Sequence, residues 1–336
     1  MKKEYNVAVV GTGAVGSTLV QVLEERNFPV ATLKLLATSR SAGKTMTFRG
    51  KEHTIQETTP DSFEGVDIAL FAGGQASTLF AGEAVKRGAV VIDNSSAYRM
   101  DPDVPLVVPE VNPEDVKKHK GIIANPNCST IQMAVALKPI YDLSRITRIV
   151  VSTYQAVSGA GQEAMDELEA QTKDILANKE PRVEIFQHQI AMNLIPHIDV
   201  FWENGYTKEE MKMVLETRKI LHDEDLKITA TAVRVPIMRS HSESILVITE
   251  NKISKEEAHK AFAAFQGIVL QDIPSENVYP MPYFTSDTDE VYVGRVREDL
   301  AFEHGLSFFV VADQLRKGAA TNAVQIAETL IEFEML

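Results

Sequence analysis

Short apolar runs alternate with segments of helical periodicity in the first part of the chain. Four of these runs are rich in aliphatic and β-branched residues and have the length of buried strands, at residues 5–10, 33–37, 67–71 and 90–93. Between several of them, apolar residues recur at helical spacing, as in residues 17–25 and 78–87. Strand–helix alternation of this kind predicts a parallel, doubly wound α/β sheet of the Rossmann type.

The pattern changes near residue 128. Two more short strands are predicted at 106–108 and 122–124, and a helical pattern starts at Ser129. Later runs are long enough for the strands of a second, mixed sheet, at residues 148–154, 227–236, 243–250, 290–297 and 306–312. Helices are predicted at 162–178 and 321–332.

Two domains are the expectation for a chain of 336 residues. We expect a nucleotide-binding domain over residues 1–127 and a second α+β domain with a mixed sheet over residues 128–315. The C-terminal segment 316–336 is expected to return to the first domain, because the apolar stripe of its helix needs a sheet to cover.

The composition is that of a soluble globular protein, with 44% hydrophobic and 24% charged residues. A formal net charge of −13 argues against nucleic acid or an anionic membrane as a partner. A few arginine and lysine side chains in a cleft are still enough to bind an anionic small-molecule substrate. A single cysteine, no signal peptide and no apolar run of membrane-spanning length predict a cytoplasmic protein.

A glycine-rich segment, Gly11-Thr12-Gly13-Ala14-Val15-Gly16, follows the first predicted strand and opens a helix. In a dinucleotide-binding turn the first glycine allows the tight turn, the second admits the pyrophosphate and the third lets helix and strand pack closely. The free N–H groups at the helix start then face the anion. The alternative is a glycine-rich turn without a ligand.

The end of the second strand indicates which dinucleotide is bound. An NAD enzyme usually places Asp or Glu there to hold the ribose 2′-hydroxyl. This chain has Ser39, Arg40 and Ser41 instead, and a guanidinium flanked by hydroxyls suits a 2′-phosphate. We therefore expect NADP (NADPH), although Arg40 as a solvated surface charge is the alternative.

The only cysteine, Cys128, comes directly after a predicted strand and an Asn-Pro-Asn turn. A thiol at a helix N-terminus is stabilised as the thiolate by the helix dipole and by nearby N–H groups. Such a thiolate is a nucleophile near neutral pH. A small buried hydrophobic residue is the alternative interpretation.

The segment Asn125-Pro126-Asn127-Cys128-Ser129-Thr130 resembles the active-site segment of the aspartate-semialdehyde dehydrogenases. Further matches follow in the family's order along essentially the whole chain, namely 11–16, 93–96 with Arg99, 107–112, 152–161, 209–212, 234–236, 241–243 and 317–322. The resemblance implies a glyceraldehyde-3-phosphate-dehydrogenase-like second domain for catalysis and dimerisation.

The resemblance also implies the catalytic roles. Cys128 attacks the acyl group and carries a thioester, His241 acts as general acid/base and Gln155 orients the substrate, with Asn127 beside the nucleophile. An ordinary histidine pKa near 6.5 would let His241 both accept and donate a proton near neutral pH. The seven-residue step from Arg234 to His241 implies a turn at about residues 237–240 that returns His241 to the same cleft.

Substrate and cofactor contacts are implied in the same way. Arg234 and Glu210 would hold the α-carboxylate and α-amino group of an aspartyl moiety, and Arg99 and Lys212 would bind phosphate. The residues expected to line the nicotinamide are Ser158, Gly159 and the segment 314–322, with Gln314 and Asn322 as its ligands.

The implied reaction is the NADP-dependent reductive dephosphorylation of L-aspartyl 4-phosphate to L-aspartate 4-semialdehyde. This is a step in the biosynthesis of lysine and diaminopimelate, threonine and methionine, carried out by a homodimer or a tetramer. The open alternatives are a related acyl-phosphate reductase, such as N-acetyl-γ-glutamyl-phosphate reductase or glyceraldehyde-3-phosphate dehydrogenase, and a non-catalytic nucleotide-binding homologue. The sequence has no HExxH motif and no Cys/His cluster, so no catalytic metal is expected. It also has no GxSxG elbow and no Walker loop.

Overall fold

The computed structural model describes residues 4–336, which form two compact units. One unit comprises the chain up to Asn127 together with Ala319–Leu336, and the other comprises Cys128–Gly318. The first three residues of the predicted nucleotide-binding domain lie outside the described part. Within residues 4–336, no helix has both the length and the apolar character needed to cross a membrane.

Thirteen strands and eight helices are numbered here in chain order. The strands are β1 (Tyr5–Val10), β2 (Val30–Ala37), β3 (Thr45–Phe48), β4 (Lys51–Glu57), β5 (Ile68–Phe71), β6 (Val90–Asp93), β7 (Ile122–Ala124), β8 (Ile146–Gln155), β9 (Lys227–Arg234), β10 (His241–Thr249), β11 (Ile268–Leu270), β12 (Val291–Glu298) and β13 (Gly305–Ala312). The helices are α1 (Ala14–Glu25), α2 (Gln75–Lys86), α3 (Cys128–Leu143), α4 (Gln162–Leu176), α5 (Lys208–Leu221), α6 (Lys255–Ala264), α7 (Pro282–Thr285) and α8 (Thr321–Glu332).

The first unit contains a seven-stranded sheet in the order β3-β4-β2-β1-β5-β6-β7. All of its neighbouring strands are parallel except β3, which pairs antiparallel with β4 at one edge. The side chains of central strand β1 alternate between two apolar clusters. Val7 and Val9 pack with Leu23 of α1 and Val324 of α8, whereas Val10 packs on the opposite face. Burial on both faces is typical of a doubly wound sheet.

The second unit contains a six-stranded mixed sheet in the order β11-β12-β13-β10-β8-β9. Its four inner strands are antiparallel, and the two edge strands run parallel to their neighbours. Helix α3 contacts α5, α6 and several strands of this sheet. On β8, alternate side chains such as Val151 and Thr153 are buried, while Val150 and Tyr154 on the other face stay exposed.

The fold class expected from the sequence is confirmed, with corrections to single elements. The strand predicted at 106–108 is wrong, because only Leu106 forms an isolated bridge, with Ala124. Pro105 and Pro109 flank this segment and have no N–H to extend a ladder. The predicted strand at 243–250 begins two residues earlier, at His241.

Several elements were not predicted, namely β3, β4, β11, α5 and α6. Strands β3 and β4 expose most of their side chains, so neither has a continuous apolar run. Helices α5 and α6 have strongly charged sequences, and each begins with a capping box instead of a clear apolar stripe.

The glycine-rich turn shows why two of its glycines are needed. Gly11 has a φ of +98°, a conformation that L side chains rarely adopt. A Cβ on Gly16 would lie 1.8 Å from the carbonyl oxygen of Gly11, so α1 packs against the turn at a distance that only glycine allows. Gly13 precedes α1 and would have nothing within 4 Å of a Cβ.

We expect Gly16→Ala to lower the free energy of unfolding by about 1–3 kcal/mol or more, because backbone must move to relieve the clash. The matched control is Gly13→Ala, which adds the same methyl group in open space and should change stability by no more than about 0.5 kcal/mol. Urea unfolding of both variants measures the difference. Equal stabilities would show that the close contact at Gly16 is not a constraint.

Candidate active site

The register of the second sheet brings three predicted site residues to the same end of β8. Gln155 is the last residue of β8 and pairs with Arg234, the last residue of β9. On the other side of β8, strand β10 begins at His241, and its next residue, Ser242, pairs with Tyr154. Arg234 and His241 therefore flank Gln155, and all three side chains are buried. The predicted return of His241 to the position of Arg234 agrees with this arrangement.

Cys128 is the first residue of α3 and is partly buried. The N-terminus of this helix favours the thiolate form of the cysteine. A Cβ on Gly318 would lie 2.9 Å from the Cβ of Cys128, so the chain passes Cys128 at a distance that only glycine allows. Burial lowers the pKa of Arg234, and the charges of Glu209 and Cys128 oppose that shift.

The ring of His241 is fixed by a backbone hydrogen bond. The N–H of Ala156 donates to Nδ1 of His241 at 3.1 Å, so the neutral ring carries its proton on Nε2. Burial, together with the neighbouring positive charge of Arg234, lowers the pKa of His241 to about 3. The expectation of an ordinary histidine pKa is therefore wrong: above this value the ring is neutral and presents an N–H.

Arg234 is held by the backbone of the same residue, Ala156. Its Nη1 donates to the carbonyl oxygen of Ala156 at 2.6 Å. A Cβ at Gly159 would lie 3.0 Å from Nη1 of Arg234 and 3.1 Å from Nε2 of His241. The two side chains thus converge on one point of the backbone, and a larger residue at 159 would displace at least one of them.

Glu209, which was not among the predicted site residues, lies at the centre of the polar contacts. Its Oε1 accepts from Nε2 of Gln155 at 3.2 Å, and its Oε2 accepts from Nζ of Lys212 at 2.9 Å. Lys212 also donates to Asp199 at 3.0 Å. Burial lowers the pKa of Lys212, but the two carboxylates outweigh burial and leave the pKa raised. The lysine therefore stays protonated.

Glu210, the residue expected to bind an amino group, has a different position. Its Oε2 accepts from the N–H of Thr207 at 2.7 Å as part of the capping box of α5, and its Oε1 accepts from the N–H of Ala232 at 2.9 Å. Both oxygens are used by backbone, so this carboxylate secures α5 to β9. The Thr207-x-x-Glu210 spacing is the sequence signal that would have distinguished it from Glu209.

Gln314 and Ser158, expected to line the nicotinamide, contact each other. The side-chain amide of Gln314 donates to the hydroxyl of Ser158, and its Oε1 accepts from the N–H of Ser240 at 2.8 Å. Ser240 directly precedes His241. Gln314 therefore secures the turn that leads into β10.

Arg99 and the segment before Cys128 belong to the first unit. Arg99 is buried, and its guanidinium donates to the carbonyl oxygens of Asn125 at 2.9 Å and Asn94 at 2.8 Å. Asn127 is also buried and directly precedes Cys128 in the chain. Arg99 thus holds the backbone that precedes Cys128.

Three buried or half-buried amides form a chain behind this segment. Nδ2 of Asn322 donates to Oδ1 of Asn125 at 2.6 Å and to the carbonyl oxygen of Val107 at 3.0 Å. Nδ2 of Asn125 in turn donates to Oδ1 of Asn94 at 2.8 Å. Asn322 was expected to bind the cofactor, but its amide is fully buried and ties α8 to the turn that follows β7.

The glycine-rich turn fits a dinucleotide. The space beside Gly13 is open at the N-terminus of α1, where a pyrophosphate would approach the backbone. Ser39 and Arg40 are exposed just beyond the end of β2, with Ser41 half-buried beside them. The described residues thus leave both the turn and the guanidinium accessible to a nucleotide.

Two family models match the chain. Residues 6–119 match "Semialdehyde dehydrogenase, NAD binding domain", and residues 137–317 match "Semialdehyde dehydrogenase, dimerisation domain". The chain is 61% identical to the aspartate-semialdehyde dehydrogenase of Aquifex aeolicus, with 98% of each chain covered. It is 52% identical to the enzyme of the same name from Bacillus subtilis, with both chains covered in full.

Solved structures agree with these matches. Aspartate semialdehyde dehydrogenase II from Vibrio cholerae, complexed with ASA, has a TM-score of 0.96 and 49% identity, covering 98% of this chain and 99% of its own. Aspartate semialdehyde dehydrogenase with NADP from Candida albicans has a TM-score of 0.78 and 26% identity, covering 99% and 100%. The predicted resemblance is confirmed, and the chain belongs to the semialdehyde dehydrogenase family, among its aspartate-semialdehyde dehydrogenases.

Proposed function

We propose that the chain is an NADP-dependent aspartate-semialdehyde dehydrogenase that converts L-aspartyl 4-phosphate to L-aspartate 4-semialdehyde and phosphate through a thioester on Cys128. The observation that carries this proposal is the convergence of an arginine, a lysine, a buried carboxylate and a neutral histidine in the unit that begins with the cysteine. These groups match a substrate with a carboxylate, an ammonium, a phosphate and a reactive carbonyl.

In the first step, the Cys128 thiolate attacks the acyl carbon. A C–S bond forms, the C–O bond to the phosphoryl group breaks, and phosphate leaves with the electron pair. The start of α3 stabilises the thiolate before attack. In the tetrahedral intermediate the carbonyl oxygen becomes negative, and Nε2–H of His241 is the donor we assign to that oxygen.

The second step is reduction of the thioester on Cys128, for which a nicotinamide nucleotide held at the Gly11 to Gly16 turn would supply the hydride. The product on Cys128 is a thiohemiacetal alkoxide, whose C–S bond breaks to release the aldehyde and return the electron pair to sulfur. Because the alkoxide collapses directly to aldehyde and thiolate, this step needs no external base. A neutral His241 that donates a hydrogen bond to the oxygen is sufficient.

The substrate contacts follow from charge and shape. Arg234 offers a planar fork to the α-carboxylate, although one of its donors also binds Ala156. Glu209 replaces Glu210 as the proposed partner of the α-ammonium, because the carboxylate of Glu210 is used by backbone. Lys212 and Arg99 are the proposed phosphate ligands.

NADP is the proposed nucleotide because Arg40 and its flanking hydroxyls offer cationic and hydrogen-bonding contacts to a 2′-phosphate. The family description names NAD, and the Candida albicans structure was solved with NADP. The Gly11 to Gly16 turn would hold the pyrophosphate. A homodimer is the proposed assembly, because the matched dimerisation domain includes the exposed sheet face of Val150 and Tyr154.

We expect Cys128→Ala to abolish turnover, with a loss of about 10⁴-fold or more, because the sequence has no other cysteine to form the thioester. NADPH binding, measured by fluorescence titration, should remain within about twofold of the wild type. Cys128→Ser serves as an isosteric control, with a poor nucleophile in the same position. Substantial dehydrogenase activity in either variant would overturn the thioester route.

We expect the same substitution, to alanine, to have different effects at the neighbouring residues Glu209 and Glu210. Glu209→Ala should raise the KM for aspartate semialdehyde by about tenfold or more, because a buried charge partner is removed. Glu210→Ala should leave KM nearly unchanged and lower the free energy of unfolding by about 0.5–2 kcal/mol through loss of the cap. Steady-state kinetics and urea unfolding of both variants provide the test. A KM effect confined to Glu210→Ala would restore the assignment made from the sequence.

Arg40→Ala should raise the KM for NADP by about tenfold or more, through loss of a charge-assisted hydrogen bond. The KM for NAD should change by less than about twofold, since NAD has no 2′-phosphate. Initial rates with each nucleotide measure the ratio. Equal effects on the two nucleotides would remove Arg40 from the phosphate site.

A further inference from the structure

One ionisable side chain in the second unit is fully buried and has no role in the proposed reaction. Glu243 lies on β10 with no exposed surface, and neither of its carboxyl oxygens has a hydrogen-bond partner among the described residues. A charged carboxylate in such a place is strongly disfavoured unless it is paired or hydrogen-bonded. The burial of the Glu243 carboxyl therefore needs a physical explanation.

The position of Glu243 relates it to the active site. It follows His241 by two residues on one strand, so the two side chains lie on the same face of the sheet. Its cross-strand neighbours are Thr153 on β8 and Val310 on β13, neither of which is charged. The hydroxyl of Thr153 donates to Oε1 of Gln155 at 3.0 Å, and this bond connects the same face of the sheet with the candidate active site.

The helix packed against this face contributes Gln132. Gln132 follows Cys128 by four residues on α3, which places it one turn along the same side of the helix. Its Nε2 lies 3.4 Å from the carbonyl oxygen of His241, to which it donates. Its side chain is also close enough to Glu243 to act on that carboxyl.

Glu243 and Gln132 both have acceptor atoms that lack a hydrogen-bond donor in the described part of the chain. Oε1 of Gln132 and both carboxyl oxygens of Glu243 are buried, and none of these three atoms has a hydrogen-bond partner among residues 4–336. An ionised carboxylate and the amide oxygen of Gln132 are both acceptors and cannot bond to each other, while the amide N–H group of Gln132 donates to the carbonyl oxygen of His241. A protonated carboxyl supplies the missing donor and removes the buried charge at the same time.

We propose that Glu243 is a positioning residue whose neutral carboxyl donates a hydrogen bond to Gln132, and that this bond holds the helix of the nucleophile against the strand of His241. The bond connects position 132, one turn from Cys128, with position 243, two residues from His241. The kinetic part of the proposal rests on the proposed function, whereas the hydrogen bond itself does not.

The electrostatic surroundings agree with a neutral acid. Burial raises the pKa of Glu243 well above its ordinary value, and the Gln132 amide opposes this only in part. No charged group contributes to the shift. His241, the titratable neighbour on the same strand face, has a pKa lowered to about 3 by burial and by Arg234, so it is neutral as well.

Infrared spectroscopy tests the hydrogen bond without reference to activity. The difference spectrum between wild type and Glu243→Gln at neutral pH should contain the C=O stretch of a protonated carboxylic acid. This band should shift in Gln132→Leu, which removes the acceptor. A carboxylate band in its place, or a carboxylic acid band insensitive to Gln132→Leu, would overturn the proposal.

Kinetics test the positioning role. Glu243→Met removes the donor at similar size and should lower kcat by about tenfold or more, with the KM for aspartate semialdehyde within about twofold. Glu243→Gln keeps the shape and offers an amide N–H, so its kcat should stay within about twofold of wild type. An isosteric variant that is as slow as Glu243→Met would overturn the role as a neutral donor.

Thr217→Val is the matched control for the removal of a buried polar group. The Thr217 hydroxyl on α5 is also buried and has no hydrogen-bond partner among the described residues. This variant should affect stability without lowering kcat. A loss of kcat equal to that of Glu243→Met would show a general packing effect and overturn the positioning role. If wild type does not oxidise aspartate semialdehyde, the proposed function fails, while the infrared result still decides whether the Glu243–Gln132 bond exists.

Discussion

The backbone of Ala156 is the constraint on which the rest of the candidate site depends. Its N–H donates to Nδ1 of His241 and its carbonyl oxygen accepts from Nη1 of Arg234, so the two polar groups of one residue orient an imidazole and a guanidinium. This fixes the tautomer of His241 and aims Nε2–H at the same point as the fork of Arg234. That point lies beside Gly159, where a side chain would displace the guanidinium of Arg234 or the ring of His241.

The strands that are easiest to predict from sequence are those buried on both faces. Strand β1 is apolar at successive positions because both of its faces are covered, and this makes its run easy to recognise. The polar strand Lys51–Glu57 gives no such signal, because its pairing with β2 and β3 is made by backbone that any sequence can supply. The opposite error at 106–108 arose because apolar character indicates burial without indicating a ladder.

The order of motifs predicted which part of the chain forms the site but not which atom each side chain contacts. Glu209 and Glu210 are adjacent and identical in type, yet the helical rotation between them sends one to Gln155 and Lys212 and the other to a helix cap. Gln314 and Asn322 similarly proved to bind neighbouring side chains and backbone. Such choices depend on tertiary direction, which a linear pattern does not contain.

The buried charges of the second unit also explain how a neutral histidine suits the reaction. Glu209 keeps Lys212 protonated despite burial, while Arg234 is one of the causes that keep His241 neutral. In the first step of the proposed reaction, negative charge passes from sulfur to the carbonyl oxygen and leaves with phosphate. In the second step it passes from the alkoxide oxygen back to sulfur, and neither step needs a proton from the enzyme. A fixed N–H donor beside a permanent cation stabilises that charge wherever it forms and needs no ionisation near neutral pH. The low pKa of His241 is therefore consistent with its proposed role as a hydrogen-bond donor and not with proton exchange in every cycle.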